Sequence, residues 1–98
     1  QTGTAYTLVL ADKDKSTVWM NNAAANVVTI PTNAAVAFPV GTEVLVMMEG
    51  AGVTSVTADG GVTLNGVVAG SGDLSQYSGT LLKKRAENTW IATGLTVA

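Results

Sequence analysis

"VTIPTNAAVAFPVGTEVLVMMEGAG", Val28 to Gly52, decides how this chain folds. The stretch is apolar almost throughout, its only charges are Glu43 and Glu49, and Pro31 and Pro39 interrupt it. Proline cannot donate to a sheet ladder, so a strand that contains Val28 and Ile30 ends at Pro31. "TNAAVAF" (Thr32–Phe38) then reads as a crossover between two sheets. Pro39 and Gly41 frame a turn, and "TEVLVMM" (Thr42–Met48) is the strongest strand of the chain. Strand, crossover, strand over one core accounts for the apolarity. Within "TEVLVMM" the period of two puts Val44, Val46 and Met48 on one face and Leu45 and Met47 on the other. A strand apolar on both faces needs cover on both. The cover for Leu45 and Met47 is either the "TNAAVAF" crossover of the same chain or another copy of the chain.

The same signals recur outward from this stretch. "AYTLVL" (Ala5–Leu10) alternates, with Tyr6, Leu8 and Leu10 on one face. "ADKDKS" (Ala11–Ser16) reads as a solvated charged turn. "TVWM" (Thr17–Met20) and "NVVTI" (Asn26–Ile30) follow as strands. "VTSVTA" (Val53–Ala58) and "VTLNG" (Val62–Gly66) flank Asp59-Gly60-Gly61, a tight-turn signature that predicts a hairpin. "VVAGSGDLS" (Val67–Ser75) reads as a loop. "YSGTLLKKRA" and "NTWIATG" form a second hairpin across Glu87-Asn88. The alanine-rich patches are short and bounded by Asn or Pro, so each makes a helical turn at most. Ninety-eight residues are the size of one domain, and eight or so short strands predict an all-β fold, a compact antiparallel β-sandwich of jelly-roll type spanning residues 1–98. The expected core is Leu8, Leu10, Val18, Met20, Val28, Ile30, Phe38, Val44, Val46 and Trp90. The chain starts at Gln1 rather than Met, which reads as a processed product or a piece of a longer protein.

Composition removes most chemistry. There is no cysteine and no histidine, so disulfides, thiolate chemistry and the two commonest zinc ligands are absent. Charged residues make up 12%, about half the usual share of roughly 25%, so Thr, Asn, Ser and Gly must build the surface. The only basic run is Lys83-Lys84-Arg85, and with a net charge of −2 it gives little attraction for nucleic acid. On a strand such a run reads as a solvated edge that guards against pairing. No apolar run reaches the ~20 residues of a spanning helix, so membrane insertion is not expected. No spacing sets two carboxylates across a cleft as glycoside hydrolysis needs. Asp12 and Asp14 alternate with Lys13 and Lys15, and the Gly and bidentate Glu of a calcium loop are missing. Ser and Thr have no histidine base, and no G-x-S-x-G elbow occurs. "GAGVTSVTADGG" has glycines but no G-K-[ST], so turns explain them. The expectation is a non-enzymatic chain with no catalytic residue, no metal site and no cofactor.

Two recognition features remain. Leu45 and Met47, flanked by Glu43 and Glu49, form an apolar centre with a charged rim, the make-up of an interface patch. Among the aromatics, Trp90 and Phe38 fit the core, whereas Trp19 and Tyr77 are candidates for stacking on sugar rings.

Four stretches carry a family likeness: "YTLVLAD" (Tyr6–Asp12), "VWMNNAAANVVTIPTNAAVAFPVGTEVLV" (Val18–Val46), "GAGVTSVTADGGVTLNG" (Gly50–Gly66) and "QYSGTLLKKRAENTWIATG" (Gln76–Gly94). In order and spacing the chain resembles a small β-domain of tailed-bacteriophage virion structural proteins, of tail-fibre, head-fibre or capsid-decoration type. The likeness covers nearly the whole chain and carries no catalytic motif. It implies location in the virion, contact with other virion proteins and assembly as a homotrimer, since phage fibres are commonly three-fold. The alternative it leaves open is an adhesion module that binds glycans of the host surface through Trp19 or Tyr77 and so serves host attachment.

Overall fold

The structure, a computed structural model, describes residues 3–10, 12, 17–93, 95 and 97. Ten strands form: β1 (Ala5–Thr7), β2 (Thr17–Met20), β3 (Asn26–Ile30), β4 (Glu43–Met48), β5 (Thr54–Ala58), β6 (Thr63–Leu64), β7 (Val67–Val68), β8 (Ser71–Leu74), β9 (Gly79–Ala86) and β10 (Thr89–Thr93). They make a four-stranded sheet in the order β1-β3-β5-β8 and a six-stranded sheet in the order β2-β4-β9-β10-β6-β7. No α-helix occurs among the described residues. The two sheets pack face to face over one core that includes Val28, Ile30, Val44, Val46, Val56, Leu82 and Trp90. The all-β two-sheet architecture expected from the strand pattern is thus the observed one.

The pairing inside the sheets differs from an antiparallel jelly roll. β1 pairs with β3, β3 with β5, β2 with β4, and β10 with β6, all in parallel. The other four pairings are antiparallel. The cause is the connectivity. From β1 to β5 each strand hands the chain to the opposite sheet before it returns, so successive strands in one sheet run the same way. The result is a flattened coil. Its second turn lies on its first in continuous register: Thr17 to Met20 face Leu45 to Met48, and Asn26 to Ile30 face Thr54 to Ala58. The offset is 28 residues at Asn26 and Thr54, whose side chains hydrogen-bond at 2.6 Å across the turn. Between these strands the turns stack as well, and the Gly52 N–H donates to the Asn22 carbonyl at 2.9 Å.

Local expectations resolve as follows. The crossover after Pro31 passes from β3 in one sheet to β4 in the other, as read from the prolines. Within it the Val36 N–H donates to the Thr32 carbonyl at 3.0 Å, a single helical turn. The β9–β10 hairpin forms across Glu87-Asn88, with Asn88 at a φ of 53°. Asp59-Gly60-Gly61 makes a turn but no hairpin, because β5 and β6 belong to different sheets. β5 pairs with β8 instead, so the stretch read as a loop, 67–75, contains β7 and β8.

Of the ten expected core residues nine are buried, and Leu10 is 47% exposed. β1 ends at Thr7, and Asp12 turns the chain: its N–H donates to the Val9 carbonyl and its carboxylate accepts the Val9 N–H, both at 2.9 Å. The alternation therefore stops before Leu10. Asp12 itself is fully buried rather than solvated. The Tyr6 hydroxyl donates to its two carboxylate oxygens, at 2.7 and 2.9 Å. Asp14 and the other charges of that turn lie outside the described residues.

Burial, the hydrogen bond to Asp12 and the nearby negative charge push the Tyr6 phenol up to about 12. An unfolded tyrosine ionises near 10. The folded state therefore holds this proton more tightly, and the stability that the pair contributes is fully present below about pH 10 and is lost as pH rises toward 12. Denaturation midpoints of wild type and Tyr6→Phe should differ most at pH 9 and converge between pH 10 and 12. A constant gap across that window would show that the Tyr6 proton is not linked to folding.

Candidate functional site

Outward-facing residues of the six-stranded sheet line up in rows set by strand register. Trp19 on β2, Met47 on β4 and Gly79 on β9 form one row. Thr17, Leu45, Leu81 and Thr93 form the next, and Glu43, Lys83 and Ile91 a third. Leu45, Met47 and Leu81 are half-buried, while Trp19 and Ile91 are 51% and 40% exposed. Gly79 has a specific task here. The Met47 thioether lies across it, and a Cβ at that position would overlap the sulfur. Met47 thus lies across the sheet at Gly79, beside its same-face neighbour Leu45.

The crossover faces elsewhere. Its Asn33 and Phe38 are held by Lys84, whose Nζ donates to Asn33 Oδ1 and to the Phe38 carbonyl, each at 2.6 Å. The Asn33 N–H donates to Asn88 Oδ1 at 2.7 Å. Lys84 is 2% exposed and points inward with Thr80 and Leu82. The basic run is therefore no solvated edge: β9 is an interior strand between β4 and β10. Alternation in "GTLLKKRA" carried the signal, because Lys84 shares its parity with Leu82. Its ammonium satisfies the buried Phe38 carbonyl and the half-buried Asn33 amide oxygen, and a buried acceptor left unpaired is costly. Among the described residues every buried side-chain nitrogen and oxygen has a partner.

At one end of the outer face lies a cleft of about 370 Å³, lined by Val40, Leu81, Lys83, Arg85, Ile91 and Thr93. Its walls are apolar and its exposed charges are cationic. Lys83 Nζ sits 3.8 Å from the Glu43 carboxylate, with both side chains more than half exposed. Such a pair contributes little to stability. At the opposite end stand Glu49 and Tyr77, and Tyr77 is 77% exposed with its N–H donating to the Met48 carbonyl at 2.7 Å. Trp19 and Tyr77 therefore flank the Met47–Glu49 segment from the two neighbouring strands. Two inter-strand spacings separate their backbones, roughly 10 Å.

Three of the described carboxylates serve structural roles, while Glu43, Glu49 and Glu87 are exposed. Asp12 holds Tyr6 and Val9, Asp73 accepts from Ser55 at 2.8 Å, and Asp59 accepts from the Gly60 N–H at 2.9 Å. No three Asp or Glu gather among the described residues to hold a metal ion. What the face offers chemically is association: an apolar strip, a cationic cleft and two exposed aromatics. Register brought Leu81 and Ile91 to this surface, and the Gly41 N–H bond to the Lys84 carbonyl brought Val40; no local pattern in the sequence named them as neighbours of Leu45 and Met47. No family model, no curated protein and no solved structure gives a significant match to the chain.

Proposed function

We propose that this chain is a non-enzymatic structural module of a bacteriophage virion, a β-domain of a tail fibre, head fibre or capsid decoration. It assembles through the outer face of its six-stranded sheet. The observation that carries the reading is the row structure of that face, with Leu45, Met47 and Leu81 at its middle, Trp19 on the edge strand β2, and Glu43, Lys83 and Arg85 around them. An apolar centre with a polar rim is the anatomy of a protein interface. The likeness of the sequence to virion β-domains supplies the virion setting and the homotrimer; the face supplies the contact.

Sedimentation equilibrium at micromolar concentration tests this. Wild type should run at a multiple of its 9.9 kDa mass, three-fold for the trimer. Leu45→Glu with Met47→Glu places two charges at the centre of the contact. Central residues contribute about 2 kcal/mol or more each, so association should weaken by at least roughly 30-fold. A wild type that stays at 9.9 kDa sinks the reading.

A second reading, glycan binding at the host surface, draws on the exposed Trp19 and Tyr77 at one end of the same face. Screening against an oligosaccharide array separates the two. Binding that Trp19→Ala abolishes without a change of mass favours adhesion.

A further inference from the structure

Tyr77 combines a strained backbone with a side chain that is 77% exposed. It occupies the turn between β8 and β9 at a φ of 63°, the left-handed region that bulky residues rarely adopt. The turn is held by backbone and serine contacts: the Tyr77 N–H to Met48, and the Ser78 N–H and hydroxyl to the Ser75 carbonyl at 3.1 and 2.7 Å. Glycine or asparagine would meet those demands with less strain, as Asn65 and Asn88 do in other turns at φ 49° and 53°. The ring meanwhile is largely in solvent. A strained, exposed aromatic is a candidate contact for another molecule.

Its surroundings indicate which molecule. Met47 pairs with Gly79, which sets the exposed Glu49 opposite Tyr77. That end of the face therefore presents an aromatic ring and a carboxylate. The other end presents the complement: the cleft with Leu81, Ile91 and Val40 as apolar walls and Lys83 and Arg85 as cations. Of the five basic residues of the chain, Lys83 and Arg85 are exposed at the cleft, with Glu43 3.8 Å from Lys83, while Lys84 is buried beneath it. Arginine is also well suited to lie over a tyrosine ring. Eight residues of β-structure separate Tyr77 from Arg85, about 26 Å, most of the longest extent of the molecule, 33 Å. The cleft begins at Leu81, four residues from Tyr77 or about 13 Å along the strand, and the Tyr77 ring is exposed rather than seated in it.

We propose that the partner is a second copy of this chain: Tyr77 of one copy seats in the cleft of the next, with its Glu49 against Lys83 and Arg85 there. The proposal rests on the self-association argued above and gives it a register. Leu45 and Met47 then lie between the two anchoring ends. Each copy offers one ring and receives one, which a two-fold dimer satisfies reciprocally and a closed ring satisfies head to tail.

Sedimentation equilibrium on single and paired substitutions tests the register. Tyr77→Gly removes the ring and relieves the backbone, so association should weaken at least 10-fold while the melting temperature of the dilute protein holds or rises. Arg85→Glu should weaken association by a similar factor, and Arg85→Glu combined with Glu49→Lys should recover most of it. An associating wild type whose self-affinity is unchanged by Tyr77→Gly and by Arg85→Glu overturns the register and leaves the interface reading standing. A wild type that is monomeric at 100-fold higher concentration than the working range overturns both.

Discussion

Trp90→Ala should lower the stability of the domain by about 3–5 kcal/mol, the range for deleting a fully buried tryptophan. Trp90 is 1% exposed and meets Phe38 edge-on, with ring centroids 5.5 Å apart and an interplanar angle of 88°. Such pairs contribute about 0.5–1.5 kcal/mol beyond burial. Little in the surroundings can collapse into the space. Trp90 lies on β10, paired with Leu64 on one side and Lys84 on the other. Lys84 is tied to Asn33 and to the Phe38 carbonyl, and its ammonium cannot fill an apolar void. A domain of this size has a total stability of about 5–15 kcal/mol, so the loss takes roughly a fifth of it or more. Urea unfolding followed by circular dichroism reads the change without relying on tryptophan emission. A loss under about 1 kcal/mol would show that the crossover repacks over the gap and that Phe38 and Trp90 are not a joint anchor.

How much of this was legible in the sequence depends on the range over which each signal acts. Faces were legible, because the period of two is local: "NVVTI" and "TEVLVMM" put Val28, Ile30, Val44 and Val46 inward. The sheet change at Pro31 was legible from the missing N–H of proline. Partners were not. Periodicity says which side a residue faces and nothing about the strand beside it, so parallel pairing went unread and a hairpin was expected at Asp59-Gly60-Gly61. A longer-range signal did exist. Residues 17–30 and 45–58 align at the 28-residue offset seen at Asn26 and Thr54. Val18 and Val46, Met20 and Met48, Ala23 and Ala51, Val28 and Val56, and Thr29 and Thr57 are identical pairs. Leu10 failed for the opposite reason: its alternation was intact, and the hydrogen bonds of Asp12 ended the strand first. The outer face splits in the same way. Leu45 and Met47 followed from alternation within one strand. Leu81 and Ile91 joined them through the register of two others and Val40 through the turn before β4, and Lys84 was misread because charge outweighed parity.

Gly52→Ala should be among the most damaging single-methyl changes in the chain. The second turn of the coil lies directly on the first, and the Gly52 N–H reaches the Asn22 carbonyl at 2.9 Å. A Cβ at Gly52 would overlap the Ala24 carbonyl group and stand 2.8 Å from the Asn22 oxygen. Both obstacles are backbone, so no side chain can swing aside, and relief requires the two turns to separate. That separation would also pull on the buried Asn26–Thr54 hydrogen bond that locks the register next to it. Overpacking in interiors costs about 1–3 kcal/mol and more where backbone must move, so the expectation is about 3 kcal/mol or above. Gly60→Ala is the matched control. Nothing stands within 4 Å of a Cβ there, and fewer conformations of the unfolded chain should leave it neutral or stabilised by up to about 1 kcal/mol. The two variants differ by position alone, so thermal unfolding measured side by side isolates the stacking. If Gly52→Ala melts with Gly60→Ala, the turns at 21–25 and 49–53 do not touch, and the coil is not wound as described.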